Sequence, residues 1–323
     1  MRKLALLLAF FIAIPMAARP PLHSAHLSAA NSASLVFAPV EPELPAQLLA
    51  QLHARSLVRA QSGVRASVIT DSISARAFII PAAGSVAGGG GTLFFKSDVT
   101  LVNYRETPQQ VLVGFWALGS TNSLNAANYK TVTLPPNQFA TVQDFVASSL
   151  GLSGLGSLVF IPYTGSAIDS NSAIDGFSRI YTKQPGLSGT VSQPFDGVDP
   201  DTLAAQLINE GVALGLRQDT DFRTNVGIVN VDASPHTFKL SFVGEKAQTT
   251  LNVTVPAYGM IQQAIPSGDY GALQIIYQVT DPSPTRLVSW IGYASSTDNI
   301  TGDGWVSLAS ADFTPGELDQ IGY

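Results

Sequence analysis

Asp298, Asn299, Thr301 and Asp303, set around Gly302 and Gly304, are the densest group of candidate ligands in the sequence. Side-chain oxygens this close on a glycine-bearing loop suit calcium, a hard cation that takes several oxygen ligands in loose geometry. Asp196, Asp199 and Asp201 form a second such group. Neither continues to the closing glutamate of an EF-hand loop, and Asp, Asn and Gly are also the ordinary chemistry of turns. Calcium at the first loop is one expectation; a turn that satisfies itself is the other.

The catalytic inventory is thin. The chain has four histidines and no cysteine, which excludes thiol catalysis and Cys-ligated zinc. His23, His26 and His53 come early, and His236 lies in Ser234-Pro235-His236-Thr237, which reads as an exposed turn. There is no Gly-x-Ser-x-Gly elbow and no His-Glu-x-x-His pair. Glycoside hydrolysis needs two carboxylates facing across a cleft, and the acids here are scattered through loops. No catalytic residue is expected, and the chain reads as a non-enzyme.

What must position these groups follows from composition. The 323 residues suffice for two domains with separate cores. Apolar residues make up 46% and charged residues 12%, so the surface falls to Ser, Thr, Asn, Gln and Gly, a balance that suits β-rich exported proteins. With a net charge of −6 and no Lys/Arg cluster, nucleic acid is excluded as a partner. Stability without disulfides has to come from core size.

Arg2-Lys3, the apolar run Leu4 to Ile14 and Pro15-Met16-Ala17-Ala18 have the layout of a signal peptide, read as residues 1–18, with a later cut after Ala30 as the other choice. The run is too short to span a bilayer comfortably, and no membrane span is expected after cleavage. Residues 19–63 form a low-complexity segment with a helix expected at 43–60, placing Leu48, Leu49, Leu52 and Leu57 on one side.

Beyond this the chain repeats itself. Phe95-Lys96-Ser97-Asp98-Val99-Thr100-Leu101-Val102-Asn103 returns as Phe222-Arg223-Thr224-Asn225-Val226-Gly227-Ile228-Val229-Asn230. Val111, Val113 and Phe115 then match Phe238, Leu240 and Phe242, and Val132 to Pro135 match Val253 to Pro256. Gly156-Ser157-Leu158 matches Gly271-Ala272-Leu273. Alternation of Phe95, Val99 and Leu101 with Lys96, Asp98 and Thr100 has the period of a half-buried strand. Short strands divided by Pro, Asn and Asp turns predict a mainly β fold of two tandem β-sandwich (immunoglobulin-like) units related by duplication, over 64–196 and 197–323. Short helices are expected from Asp144 to Leu150, stopped by Gly151, and from Thr202 to about Asn209, capped by Asp201.

If Val111, Val113 and Phe115 face inward, Leu112 and Trp116 share the outer face beside Gly114, where the second copy has Lys239, Ser241 and Val243. An aromatic platform there could stack on a sugar ring; the other reading is that the second copy or the 43–60 helix covers it. Lys96/Asp98 and Arg223/Asn225 read as structural pairs along one strand face.

Ile80-Pro81-Ala82-Ala83, the glycine-rich loop, Phe95 to Asp98, the Phe222 to Asn230 motif and the closing Tyr293 to Asp303 together resemble a family of uncharacterised exported bacterial proteins. The resemblance covers roughly 78–308. It implies an exported two-part β architecture and carries no activity or site residues with it. The function expected is a structural or adhesive module of the cell surface or periplasm with a protein or polysaccharide partner. The alternative is a carbohydrate-binding protein assisted by calcium.

Overall fold

The computed structural model describes residues 27–29, 35–61, 77–88, 91–183, 186, 188–200, 209–281 and 288–310, with the side chains of 56–61 left out. The expected signal peptide, the helix after Asp201, Asp201 itself, the Leu57 side chain, Gly89 and Gly90 lie outside the described residues.

The protein is mainly β. β1 (Ser28–Ala29) and α1 (Leu44–Gln61) lead into β2 (Phe78–Gly88), β3 (Leu93–Asn103), β4 (Gln109–Ala117), β5 (Tyr129–Leu134) and β6 (Gln138–Val142). After α2 (Phe145–Leu150) come β7 (Gly154–Thr164), β8 (Ala167–Ile168), β9 (Ile174–Lys183) and β10 (Thr190–Asp196). The second half holds β11 (Glu210–Gln218), β12 (Phe222–Asn230), β13 (His236–Gly244) and β14 (Gln248–Val255). It closes with β15 (Gly259–Ala264), β16 (Gly271–Val279), β17 (Trp290–Asp298) and β18 (Gly304–Leu308).

Both halves obey one pairing scheme. The second half forms sheets β11-β16-β13-β14 and β15-β12-β17-β18, and the first half pairs β2-β7-β4-β5 and β6-β3-β9-β10. The registers coincide: Val111 faces Val132 as Phe238 faces Val253, and Asn103 faces Gln138 as Asn230 faces Gly259. One difference is that the end of β2 also pairs with β3, from Ser85↔Lys96 to Gly88↔Leu93, which joins the first half into a single ten-stranded sheet.

Two expectations are corrected. An immunoglobulin domain pairs its first strand with its second and its sixth with its seventh. Here, leaving β1 and β8 aside, the first strand of each half pairs with the sixth and the seventh with the second, so the outer strands have changed places. The second correction concerns register. β2 and β11 carry a bulge at the same place, between Ile80 and Ala83 and between Ala213 and Leu216. Counting through it, Gly154 corresponds to Gly271, and both glycines have positive φ, at 107° and 67°. Leu158 therefore stands where Ile275 stands, two residues away from its sequence match. A slip of two keeps every side chain on its own face, so hydrophobic pattern alone is blind to it.

The motif's last residue explains much of the likeness. Asn103 and Asn230 are both fully buried. The Asn103 amide donates to the carbonyls of Thr107, Leu134 and Pro135, while its Oδ1 accepts from the amide of Arg105. Asn230 donates to Ser234, Val255 and Pro256 and accepts from Asp232. Each asparagine thus ties the turn that carries the chain from one sheet to the other, β3 to β4 or β12 to β13, to the end of a strand in the facing sheet and satisfies main-chain groups that no ladder reaches.

In α1, Leu48, Leu49 and Leu52 are buried as expected, and Gln51 bonds the Ser166 carbonyl and the Ile168 amide. α2 ends at Gly151 as read from the sequence, but the Asp144 side chain does not cap it. That carboxylate pairs with Lys96 at 2.9 Å, and the Asp144 amide donates to Asp98. Lys96 and Asp98 thus meet the residue just before α2, and Arg223 bonds Asn299.

Candidate functional site

Leu112 and Trp116 are both 0% exposed. They do lie on the face opposite Val111, Val113 and Phe115, but that face is covered, and this removes the sugar-platform reading. Trp116 Nε1 donates to the Tyr129 hydroxyl at 2.9 Å, and its ring lies 6.0 Å from Tyr258 of the second half. Burial pushes the Tyr129 hydroxyl well above the usual tyrosine range, against the weaker opposing effect of the Trp116 donor, so it stays a neutral acceptor. Gly114 is needed between them, because a Cβ there would sit 2.3 Å from the Tyr129 ring.

The cover comes from the second half. β12 and β17 present alternate residues to two cores: Val226, Ile228, Trp290 and Ala294 fill the second half, while Val229, Val231, Ile291 and Tyr293 join the core that holds Trp116 and the α1 leucines. Met260 adds to this seam, where its carbonyl accepts from the Gly119 amide. Tyr258 holds a left-handed φ of 45°, as does its counterpart Asn137 at 50°. Asparagine tolerates that region and tyrosine rarely adopts it, so packing of the ring against Trp116 offsets the strain.

The loop from Asp298 to Asp303 spends its oxygens on itself. Asp298 Oδ1 accepts from the amides of Ile300 and Thr301, Thr301 Oγ1 from Asp303, and Asp303 Oδ1 from Gly304. Asn299 Oδ1 takes the Arg223 guanidinium. The bonds from Thr301 and Ile300 hold the Asp298 carboxyl below its ordinary range. Among the described residues no three His, Asp or Glu side chains converge as a metal site. A depressed carboxylate stabilises its turn fully above the unfolded pKa of about 4 and loses that contribution as pH falls through the lower folded value. Amide exchange at Ile300 and Thr301 is therefore expected to stay slow at pH 5 and to quicken, relative to the strand amides, only below about pH 4. Equal protection at pH 5 and pH 2.5 would sink this account.

His236 corrects a further expectation. It begins β13 and is buried at 6% exposure, not in an open turn. Its Nε2 lies 3.3 Å from Asp232 Oδ2 and its Nδ1 3.4 Å from Asp281 Oδ1, and His53 of α1 reaches Asp232 Oδ1 at 3.8 Å. Asp232 is wholly buried. The group fastens α1 to the second half.

Among the described residues one sheet face keeps a group of aromatic side chains exposed. The outer side of β6-β3-β9-β10 carries Phe94, Tyr104, Phe139 and Phe177, which are all the exposed phenylalanines and tyrosines among the described residues. Phe139 is beside Val102, Phe177 is beside Thr100, and Lys96 and Arg179 lie over the rings of Phe94 and Tyr181. By the shared register Phe139 corresponds to Met260, Phe177 to Tyr293 and Tyr104 to Val231. The face that the second half buries in the seam is the face that the first half leaves exposed.

No family model matches the chain, and no curated protein does. Among solved structures it is similar to the crystal structure of Thermotoga maritima 1070, with 9% identity, a TM-score of 0.26, and 31% of this chain and 91% of that one covered. A likeness at that level carries no argument about function.

Sequence reading placed Leu112 and Trp116 on one face, and of its two readings of that face the structure has the one in which the second copy covers it. It passed over Phe139 and Phe177 because their neighbourhood arises from β6 and β9 flanking β3, strands distant along the chain. Asp232 gave no signal beyond a turn residue.

Proposed function

We propose that the protein is a non-enzymatic exported module of two tandem β-sandwich units with a common origin, structural or adhesive in role, that binds through the open aromatic face of its first half. The observation that carries this is the contrast between the two copies of that face, one consumed as an interface and the other exposed with aromatic side chains. Exposed apolar patches of this kind mark contact surfaces. Common origin is supported by the shared pairing, the bulges and the two asparagine clamps. Export is supported by Arg2-Lys3 and the apolar run to Ile14.

The test is retention of the purified chain on immobilised polysaccharides and envelope proteins, with calcium and with chelator, alongside the F139S/F177S variant. Saturable binding that the variant loses and the chelator leaves alone is the expected result. Glycan retention that survives the variant and vanishes with chelator would replace this reading with carbohydrate binding at the Asp298 to Asp303 loop.

A further inference from the structure

We infer that the open face is occupied by the same face of a second copy of this chain, with the strands of the two copies antiparallel across the contact. The inference rests on the reading of this face as a binding surface and names its partner.

Three observations lead to it. The equivalent face of the second half is already a sheet-to-sheet contact within the chain, formed by Val229, Met260, Ile291 and Tyr293. A face of this fold therefore packs on another flat β surface, with side chains of the size that Phe139 and Phe177 supply. The within-chain target, the Leu112/Trp116 face, is covered in every copy and cannot serve again. Its counterpart in the second half offers Lys239, Ser241, Gln248, Thr250, Asn252 and Gln278, a mainly polar surface in which Val243 and Ile276 are half-buried. Leu214, Trp305 and Leu308 are exposed elsewhere, but four of the five exposed aromatic side chains among the described residues lie on this one face, which makes it the surface of matching character that a second copy has to offer.

Charge sets the orientation. One end of the face carries Lys183, Arg179 and Lys96, the last paired with Asp144. The other end carries Asp175 and Asp196, with Asp98 between. When two such faces meet with strands antiparallel, the Lys183 end of each overlies the Asp175 end of the other; in the parallel arrangement like charges meet. Edge-to-edge pairing is hindered on the β6 side, because β1 already pairs there at Gln138 and Phe139. Face-to-face stacking stays open, and it makes a closed, isologous pair.

Sedimentation velocity of the full chain over a concentration series tests this. A concentration-dependent dimer is expected, with the dissociation constant raised at least about tenfold in F139S/F177S. Lys183→Glu is expected to weaken it, and Lys183→Glu combined with Asp175→Lys to restore it. Ile300→Ser, on the Asp298 to Asp303 loop outside the face and 83% exposed, should leave it unchanged. A chain monomeric up to about 100 µM overturns the inference. So does a dimer indifferent to F139S/F177S, or cross-links from the face to residues before Ser28 of the same copy. A monomer whose retention on a surface still depends on Phe139 and Phe177 would leave the binding face standing and remove only the second copy.

Discussion

Replacing Trp116 by alanine is expected to lower the stability of the protein by about 3–5 kcal/mol, the range for truncating a large aromatic in a packed core. The ring is fully buried, it fills the space between β4 and the second half beside Tyr258, and its Nε1 is the donor to the buried Tyr129 hydroxyl. Truncation opens a cavity in the seam and leaves that hydroxyl without its donor, and these effects act in the same direction. Chemical denaturation followed by the fluorescence of Trp290 and Trp305 measures the change. A loss under about 1 kcal/mol would mean that the seam is loosely packed and that the two halves do not share one core. If Trp116→Ala also weakened a ligand, the loss of folded protein would have to be accounted for first.

The second large effect belongs to the asparagine clamps. Asn230→Leu removes three amide hydrogen bonds to carbonyls and one accepted from Asp232, all inside the fold. An orphaned buried polar group costs about 1–3 kcal/mol, and because relaxation and water entry recover part of the total, a loss of about 3 kcal/mol is expected. Asn103→Leu should behave alike in the first half, since its bonds are the same four in kind. Thermal unfolding of each variant measures this. An unchanged midpoint in either would show that the turn it holds does not need the tie. Leucine is close in volume, which leaves bond loss as the main term.

Much of this architecture is written in local pattern. Alternation at Val99, Leu101, Val226 and Ile228 marks strands because one face of each must be dry, and repetition of the pattern at Phe238, Leu240 and Phe242 marks a second copy of the same interior. Turns announce themselves through Pro135, Pro256 and Gly151. Whatever depends on which strands become neighbours is not written locally. Tyr293 and Phe177 are equivalent by the shared strand register, yet one is buried and the other is 38% exposed, because that face of the second half packs toward Trp116 and that of the first half does not. His236 looks like any residue after a proline until β13, Asp232 and Asp281 close around it. The oxygens of Asp298 and Asp303 are another case, since the donors that bond them are backbone amides that composition cannot count.

β12 and β17 supply two cores from their two sides, and from Trp290 to Thr297 every residue of β17 is buried. A strand in an ordinary sandwich has a wet side on which substitutions accumulate with little consequence. This pair has none along its middle, so a change at Ile291 is felt in the seam and a change at Trp290 is felt in the second half. The stretch least free to drift in this chain is therefore the strip formed by β12 and β17, and solvent-facing positions such as Ile300 are the parts freer to vary.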